Sequence, residues 1–249
     1  QLLPSRLSGR SAGPLILRHF SGLGWGDAVA VTGVHTGLYA VLYAVVGFAG
    51  LIAGLHAFSP GLTLLIGIST LLYLVAGVAT LTAGVHMETL YRLVRRVPVP
   101  GGVRRRLDDR APSLVDALPS FTEESSSVFR GLLAPREIGT YALAWLVALA
   151  LVPGMRVWLL LVGMGVGFAP VGLLPLYLVA AYSVTLLPLT PGGIGVTEAT
   201  ATVVFVSLGV PGEVVVPVVL LDRFLGVYLP ALAGGYPALE IDLGELTAG

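Results

Sequence analysis

Long apolar runs, cut by short polar or Gly/Pro-rich breaks, organise the chain. Residues 28–55 and 62–85 are almost continuously apolar. Each exceeds the roughly 20 residues a helix needs to cross the bilayer hydrocarbon, and Phe58-Ser-Pro-Gly61 reads as the turn between them. From Glu137 to about Gly234 the chain is apolar again, but in pieces: roughly 138–152, 157–169, 172–188, 196–209 and 213–235. Pro153-Gly154, Ala169-Pro-Val-Gly172, Pro191-Gly-Gly193 and Pro211-Gly212 divide them. Several pieces are too short for a full span, which predicts half-spanning, re-entrant helices. Residues 1–26 are mixed, with Arg6, Arg10 and Arg18 amid Pro, Ser and Gly. Over 113–134, Leu114, Leu118, Phe121, Val128 and Leu132 recur at helical spacing, and Ser120 with Glu123 has the form of a capping box. An amphipathic helix lying on the membrane or on the other helices is expected there.

Charge adds an orientation. Arg92, Arg95, Arg96, Arg104, Arg105, Arg106 and Arg110 cluster in one connection. The positive-inside rule makes the 92–110 loop cytoplasmic, and the Arg-bearing N-terminal segment, two spans earlier, falls on the same side. Contact with anionic head groups accounts for the cluster without a dedicated partner. The acidic tail after Tyr236 (Glu240, Asp242, Glu245) is expected to be exposed.

Composition fixes the class. Of 249 residues, 55% are hydrophobic and 11% charged, less than half the charge of an average soluble domain. Mean hydropathy is +0.91. The expected fold is an all-α polytopic integral membrane protein, one domain over 1–249, with long transmembrane helices plus short re-entrant or broken ones. Net charge is zero, so nothing points to nucleic acid. There is no Cys, which excludes disulfides, thiolate metal sites and Cys nucleophiles. All basic residues are Arg. No charged n-region precedes a short apolar core, so no signal peptide is expected. Residue 1 falls within what reads as a functional motif, so further helices are expected upstream.

The stretch Leu187-Pro-Leu-Thr-Pro-Gly-Gly-Ile-Gly-Val-Thr-Glu198 carries the chemistry. Broken backbone at membrane depth is tolerated only where protein or a water-filled cavity satisfies its polar groups, and such breaks mark transporter substrate sites. Thr190 suits an N-cap and Pro191 the first helical position. A helix starting there offers unpaired N–H groups to a phosphate or carboxylate, with Gly192, Gly193 and Gly195 allowing close approach. A plain tight turn is the alternative. Glu198 and the adjacent pair Asp222-Arg223 lie within apolar runs, where charge is costly and a functional role is the default hypothesis. Neighbours on a helix point about 100° apart, so Asp222 and Arg223 do not simply pair. One arrangement has Arg223 facing Glu198 across a cavity and clamping a lipid phosphate; a buried structural ion pair is the other.

Gly33-x-x-x-Gly37, Gly50-x-x-x-Gly54 and Gly163-x-x-x-Gly167 have close-packing spacing. Intramolecular packing is the first reading and a homodimer the second. His19, His35, His56 and His86 are scattered, without metal-ligand spacing. His35 reads as a hydrogen-bonded packing residue. No metal, cofactor or catalytic set is expected, so the chain is not read as an enzyme.

The segment Pro188–Glu198 resembles the lysylphosphatidylglycerol synthase transmembrane family, the flippase-like membrane domain of multiple peptide resistance factors and stand-alone relatives. The family signature Pro-Gly-Gly-x-Gly-x-x-Glu is matched by Pro191, Gly192, Gly193, Gly195 and Glu198, and its Arg in the last long helix by Arg223. An earlier motif, Pro-Gly-Arg-x-Gly-Glu, is matched by Pro4 and Arg6, while Ser5 and Ser8 replace glycines and Gly9 replaces Glu. The two motifs lie in opposite halves of the chain, the placement of an internal repeat. The resemblance implies a multi-pass protein of the cell membrane that moves polar lipids, either anionic phospholipids or lipid-linked saccharides. Arg6, Arg223 and the N–H groups near Gly192 and Gly193 would hold the head group's phosphate. Glu198 would pair with a cationic part of the head group or gate the Arg. The alternative is an accessory subunit presenting a lipid-linked substrate to a separate glycosyltransferase or lipid synthase.

Overall fold

The structure, a computed structural model, describes residues 13–96, 112–187, 189–190 and 193–232. Every regular element among them is helical. A short α1 (Gly13–Ser21) leads into α2 (Trp25–Gly54) and α3 (Pro60–Val85). The expected turn holds: Ser59 caps α3, its Oγ accepting from Leu62 N–H at 3.3 Å, and Pro60 opens the helix. After α4 (Met87–Arg96) come α5 (Pro112–Leu132), α6 (Pro135–Leu146) and α7 (Val152–Gly163). The short helices are α8 (Leu174–Tyr182), flanked by 3₁₀ turns Val171–Leu173 and Ser183–Leu186, and α9 (Val196–Ser207). The last is α10 (Gly212–Arg223), continued by a widened turn, Phe224–Tyr228.

Among the described residues, four helical stretches are long and apolar enough to cross a membrane: Trp25–Gly54, Pro60–Val85, Pro135–Gly163 and Gly212–Leu232. Their outer faces carry exposed apolar side chains such as Ile52, Leu64, Leu143 and Met155, as a lipid-facing surface requires. This corrects one expectation. Pro153-Gly154 does not divide 138–152 from 157–169; both belong to the span Pro135–Gly163. The helix widens over Val147–Leu151, where Val152 N–H reaches back to the Val147 carbonyl. That i→i−5 turn makes room for the Pro153 ring, which would collide with the carbonyl four residues back in a regular helix. The same device recurs in the last span, where the turn Phe224–Tyr228 precedes Pro230.

Two pieces remain short of a span: Val171–Leu186 and Val196–Ser207. They run antiparallel as a hairpin. At one end the Phe168 ring meets Tyr177 and Phe205 at 6.1 and 6.0 Å between centroids; at the other, Thr185 and Thr197 hydroxyls lie 3.1 Å apart. Twelve residues of α9 rise about 18 Å, little more than half the hydrocarbon thickness. The hairpin therefore ends part-way through the hydrocarbon when its base is at one surface, with Gly193 buried and Leu189 and Ile194 exposed. Leu174, Leu178, Val204 and Phe205 pack it against Ile66 and Val157 in one buried cluster.

Glycines set how closely the helices approach. A Cβ on Gly77 would lie 2.9 Å from the Gly37 carbonyl oxygen, so α2 and α3 touch backbone to backbone. A Cβ on Gly50 would overlap the Leu176 carbonyl, fixing the hairpin against α2. Gly33, Gly37, Gly50 and Gly54 thus serve internal packing, whereas no atom lies within 4 Å of a Cβ on Gly163 or Gly167. His35 Nδ1 lies 3.0 Å from the Tyr141 hydroxyl, tying α2 to α6. The amphipathic helix α5 lies on the other helices: Phe129 fills the notch left by Gly84 and Gly33, and Ser126 Oγ donates to the Val85 carbonyl at 3.2 Å. It begins at Pro112, so Ser120 is mid-helix and not an N-cap. Most of the basic loop, the N-terminal motif with Arg6, and the acidic tail lie outside the described residues.

Gly50→Ala is expected to lower the thermal midpoint of the detergent-solubilised protein, at the upper end of the roughly 1–3 kcal/mol typical of overpacking. Gly61→Ala, with nothing within 4 Å of the new Cβ, is expected to stay within about 0.5 kcal/mol of the parent.

Candidate functional site

The hairpin tip is shaped by two glycines in left-handed backbone: Gly193 at φ +73° and Gly195 at φ +83°. At Gly193 a side chain is excluded twice over, because a Cβ would lie 2.7 Å from Thr185 Cγ2 and Thr197 Oγ1. The helix after the tip therefore starts at Val196, with Gly195 as N-cap. This overturns the expected start at Thr190-Pro191. Left-handed residues at 193 and 195 cannot belong to a right-handed helix, and Thr190 instead turns its hydroxyl to the Ile194 carbonyl at 2.8 Å. Pro191 and Gly192 lie outside the described residues.

At the helix start the N–H groups of Gly193 and Gly195 have partners within the protein. Gly193 N–H donates to the Thr190 carbonyl at 3.0 Å, and Gly195 N–H donates to Glu198 Oε2 at 2.6 Å. The protein's own carboxylate, one turn into α9, takes the place an external anion would occupy.

Glu198 Oε1 faces the last span. It accepts from Arg223 Nε at 2.7 Å and from the Tyr228 hydroxyl at 2.9 Å. Arg223 and Glu198 are therefore in direct contact and not across a cavity. Tyr228 reaches Glu198 because the widened turn Phe224–Tyr228 follows Arg223 immediately. Asp222 turns elsewhere, as neighbouring helical positions must. Its Oδ1 accepts from Arg156 Nε at 2.6 Å and pairs with Arg156 Nη2 at 2.5 Å, while its Oδ2 accepts from Tyr182 at 2.6 Å.

Two arginines and two carboxylates thus form one cluster of zero net charge, joining α7, both limbs of the hairpin and α10. Asp222 and Arg223 are each 1% exposed. Such charges cost several kcal/mol each to bury and persist only when paired. The pairing of Arg223 is incomplete. Among the described residues only its Nε is engaged; Nη1 and Nη2 are buried without a hydrogen-bond partner there. Tyr182 and Tyr228 lie around the guanidinium, their ring centroids 5.6 and 5.7 Å from Cζ, a weaker compensation than hydrogen bonds. The two-pronged edge of Arg223, the geometry that matches a phosphate, is left over.

Of the candidate residues, the structure brings Gly193, Gly195, Glu198, Asp222 and Arg223 together and leaves Thr190 to a local turn. Arg156, Tyr182, Tyr228, Thr185 and Thr197 were not among them. Arg156 carries the same kind of sequence signal as Arg223: a charge within an apolar run. An apolar groove of about 570 Å³ on the outer face of α3 and α4, lined by Leu74, Val78, Thr82 and His86 among others, has no charged wall and stands apart from the cluster.

The family model "Lysylphosphatidylglycerol synthase TM region" matches residues 1–234. A UPF0104 membrane protein of Pyrococcus horikoshii is 36% identical over 61 residues, 24% of this chain and 18% of that relative. The matched part thus spans less than a fifth of the relative. No solved structure matches the chain.

Glu198→Gln is expected to destabilise the protein by about 3 kcal/mol or more, since it leaves the Arg223 charge buried and unpaired. Adding Arg223→Gln should recover part of that loss in thermal unfolding. A double variant no better than Glu198→Gln alone would mean that the pair is not coupled.

Proposed function

The chain belongs to the lysylphosphatidylglycerol synthase TM region family, and from that premise we propose that it binds the phosphate of a polar membrane lipid at Arg223 and carries the head group across the bilayer. The observation behind this is the unsatisfied guanidinium edge: Nη1 and Nη2 of a fully buried arginine have no hydrogen-bond partner among the described residues. A buried charged donor left unmade costs about 1–3 kcal/mol or more, so a visiting phosphate, gripped by both nitrogens, gains what the protein lacks. Glu198 holds Nε and sets the aim of the free edge. Asp222, anchored by Arg156 and Tyr182, balances the charge.

The location supports a lipid. The cluster lies near the tip of a hairpin too short to span, beside four candidate spans among the described residues. Broken helices meeting near mid-membrane are the setting of transporter sites. Anionic phospholipids and lipid-linked saccharides share the phosphate chemistry. This reading places the protein in the cell membrane, with the Arg-rich connection 92–110 cytoplasmic by the positive-inside rule.

The test is translocation of a head-group-labelled anionic phospholipid by the full chain in proteoliposomes. Arg223→Gln is expected to slow it at least about tenfold, the equivalent of 1.4 kcal/mol of lost binding. Arg223→Lys should rescue it only partly, because it restores the charge without the fork. Translocation at the parent rate with Arg223→Gln folded would refute the assignment. Lipid bound through Arg223 but not moved would favour the accessory-subunit role.

A further inference from the structure

Burial around the charged cluster is uneven. Asp222 and Arg223 are sealed, while the Arg156 side chain is 28% exposed. Arg156 lies over Gly226, itself exposed, in the widened turn of the last span. A Cβ on residue 226 would lie 2.5 Å from Arg156 Nη2 and 3.1 Å from Cζ and Nη1. The guanidinium thus occupies the space that a side chain at 226 would fill. The neighbours around this gap, Met155, Leu159, Phe224 and Leu225, are exposed and apolar, so the gap faces the bilayer interior and not water.

Arg156 is also the more releasable of the two arginines. Nε and Nη2 both contact a single oxygen, Oδ1 of Asp222, so the pair lacks the two-oxygen fork that makes Arg–carboxylate contacts strongest. If Arg156 swings out, Asp222 keeps Tyr182, and the Tyr182 ring, 5.6 Å from Cζ of Arg223, is what then stands between the opened space and Arg223.

We propose that the gap over Gly226, between α7 and the turn after α10, is a lateral portal through which a phospholipid head group passes from the bilayer to Arg223, with Arg156 as its movable plug. The proposal rests on Arg223 as the phosphate anchor. It deepens that assignment by naming the source of the ligand, a lipid already in the membrane and not an anion from water. It also explains Gly226 and Arg156: the glycine keeps the portal open, and the arginine closes it with a charge that can transfer from Asp222 to the arriving phosphate.

The chain has no cysteine, so single thiols can be placed cleanly. Gly226→Cys, purified as the full chain, is modified with a bulky maleimide and reconstituted with head-group-labelled phosphatidylglycerol. Blocking is expected to slow translocation at least about tenfold, toward the Arg223→Gln level, while equally modified Gly61→Cys stays within about twofold of the parent. Should Gly226→Cys fail to fold, Leu159→Cys, one turn from Arg156 on the same face, takes the same modification and the same expected result. Millimolar inorganic phosphate on both sides of the vesicles should leave the rate unchanged. Loss with Arg223→Gln but not on blocking the portal would overturn the portal and spare the anchor, as would strong inhibition by inorganic phosphate. No loss with Arg223→Gln would overturn both.

Discussion

Two opposite charges side by side on α10, Asp222 and Arg223, are each buried to 1% exposure, and the architecture around them follows from their need for partners. They point to different sides of the helix, so each must recruit a different element. Asp222 draws Arg156 from the preceding span and Tyr182 from the first limb of the hairpin. Arg223 draws Glu198 from the second limb. A hairpin too short to span is thereby tied at both limbs to a helix that does span. Its tip is held by the same carboxylate, since Glu198 also closes the helix start at Gly195.

Prolines complete the arrangement. In both the third and fourth spans a helix turn widens just before a proline. The second widened turn is functional in consequence: it delivers Tyr228 to Glu198 and sets Gly226 beneath Arg156. Strain that the chain must relieve at Pro230 thus shapes the wall of the site. The shortfall at Arg223, two buried nitrogens without partners among the described residues, stands out because almost every other polar group in the cluster is satisfied.

Much of this was legible in the sequence. Continuous apolar length identified α2 and α3 nearly to the residue, and Phe58-Ser-Pro-Gly61 gave the turn between them. The Pro-Gly-Gly segment and Glu198 marked the tip. The errors share a cause: Gly and Pro were read as breaks of equal strength. Pro153-Gly154 is absorbed by a widened turn, whereas Gly193 and Gly195 reverse the sign of φ and do break the helix. The partners of the buried charges lie 25 and 66 positions away, so the residues announced their need for partners without naming them. Arg156 could have been found on the rule that singled out Arg223.

The central claim is that the free edge of Arg223 receives a phosphate. The most direct measurement is the ¹⁵N–³¹P dipolar coupling of the full chain, with ¹⁵N-labelled arginine, in phosphatidylglycerol bilayers. A close coupling from terminal arginine nitrogens that disappears in Arg223→Gln, and persists when exposed Arg92 is replaced by Gln, is the expected result. A spectrum in which Arg223→Gln changes nothing would contradict the account.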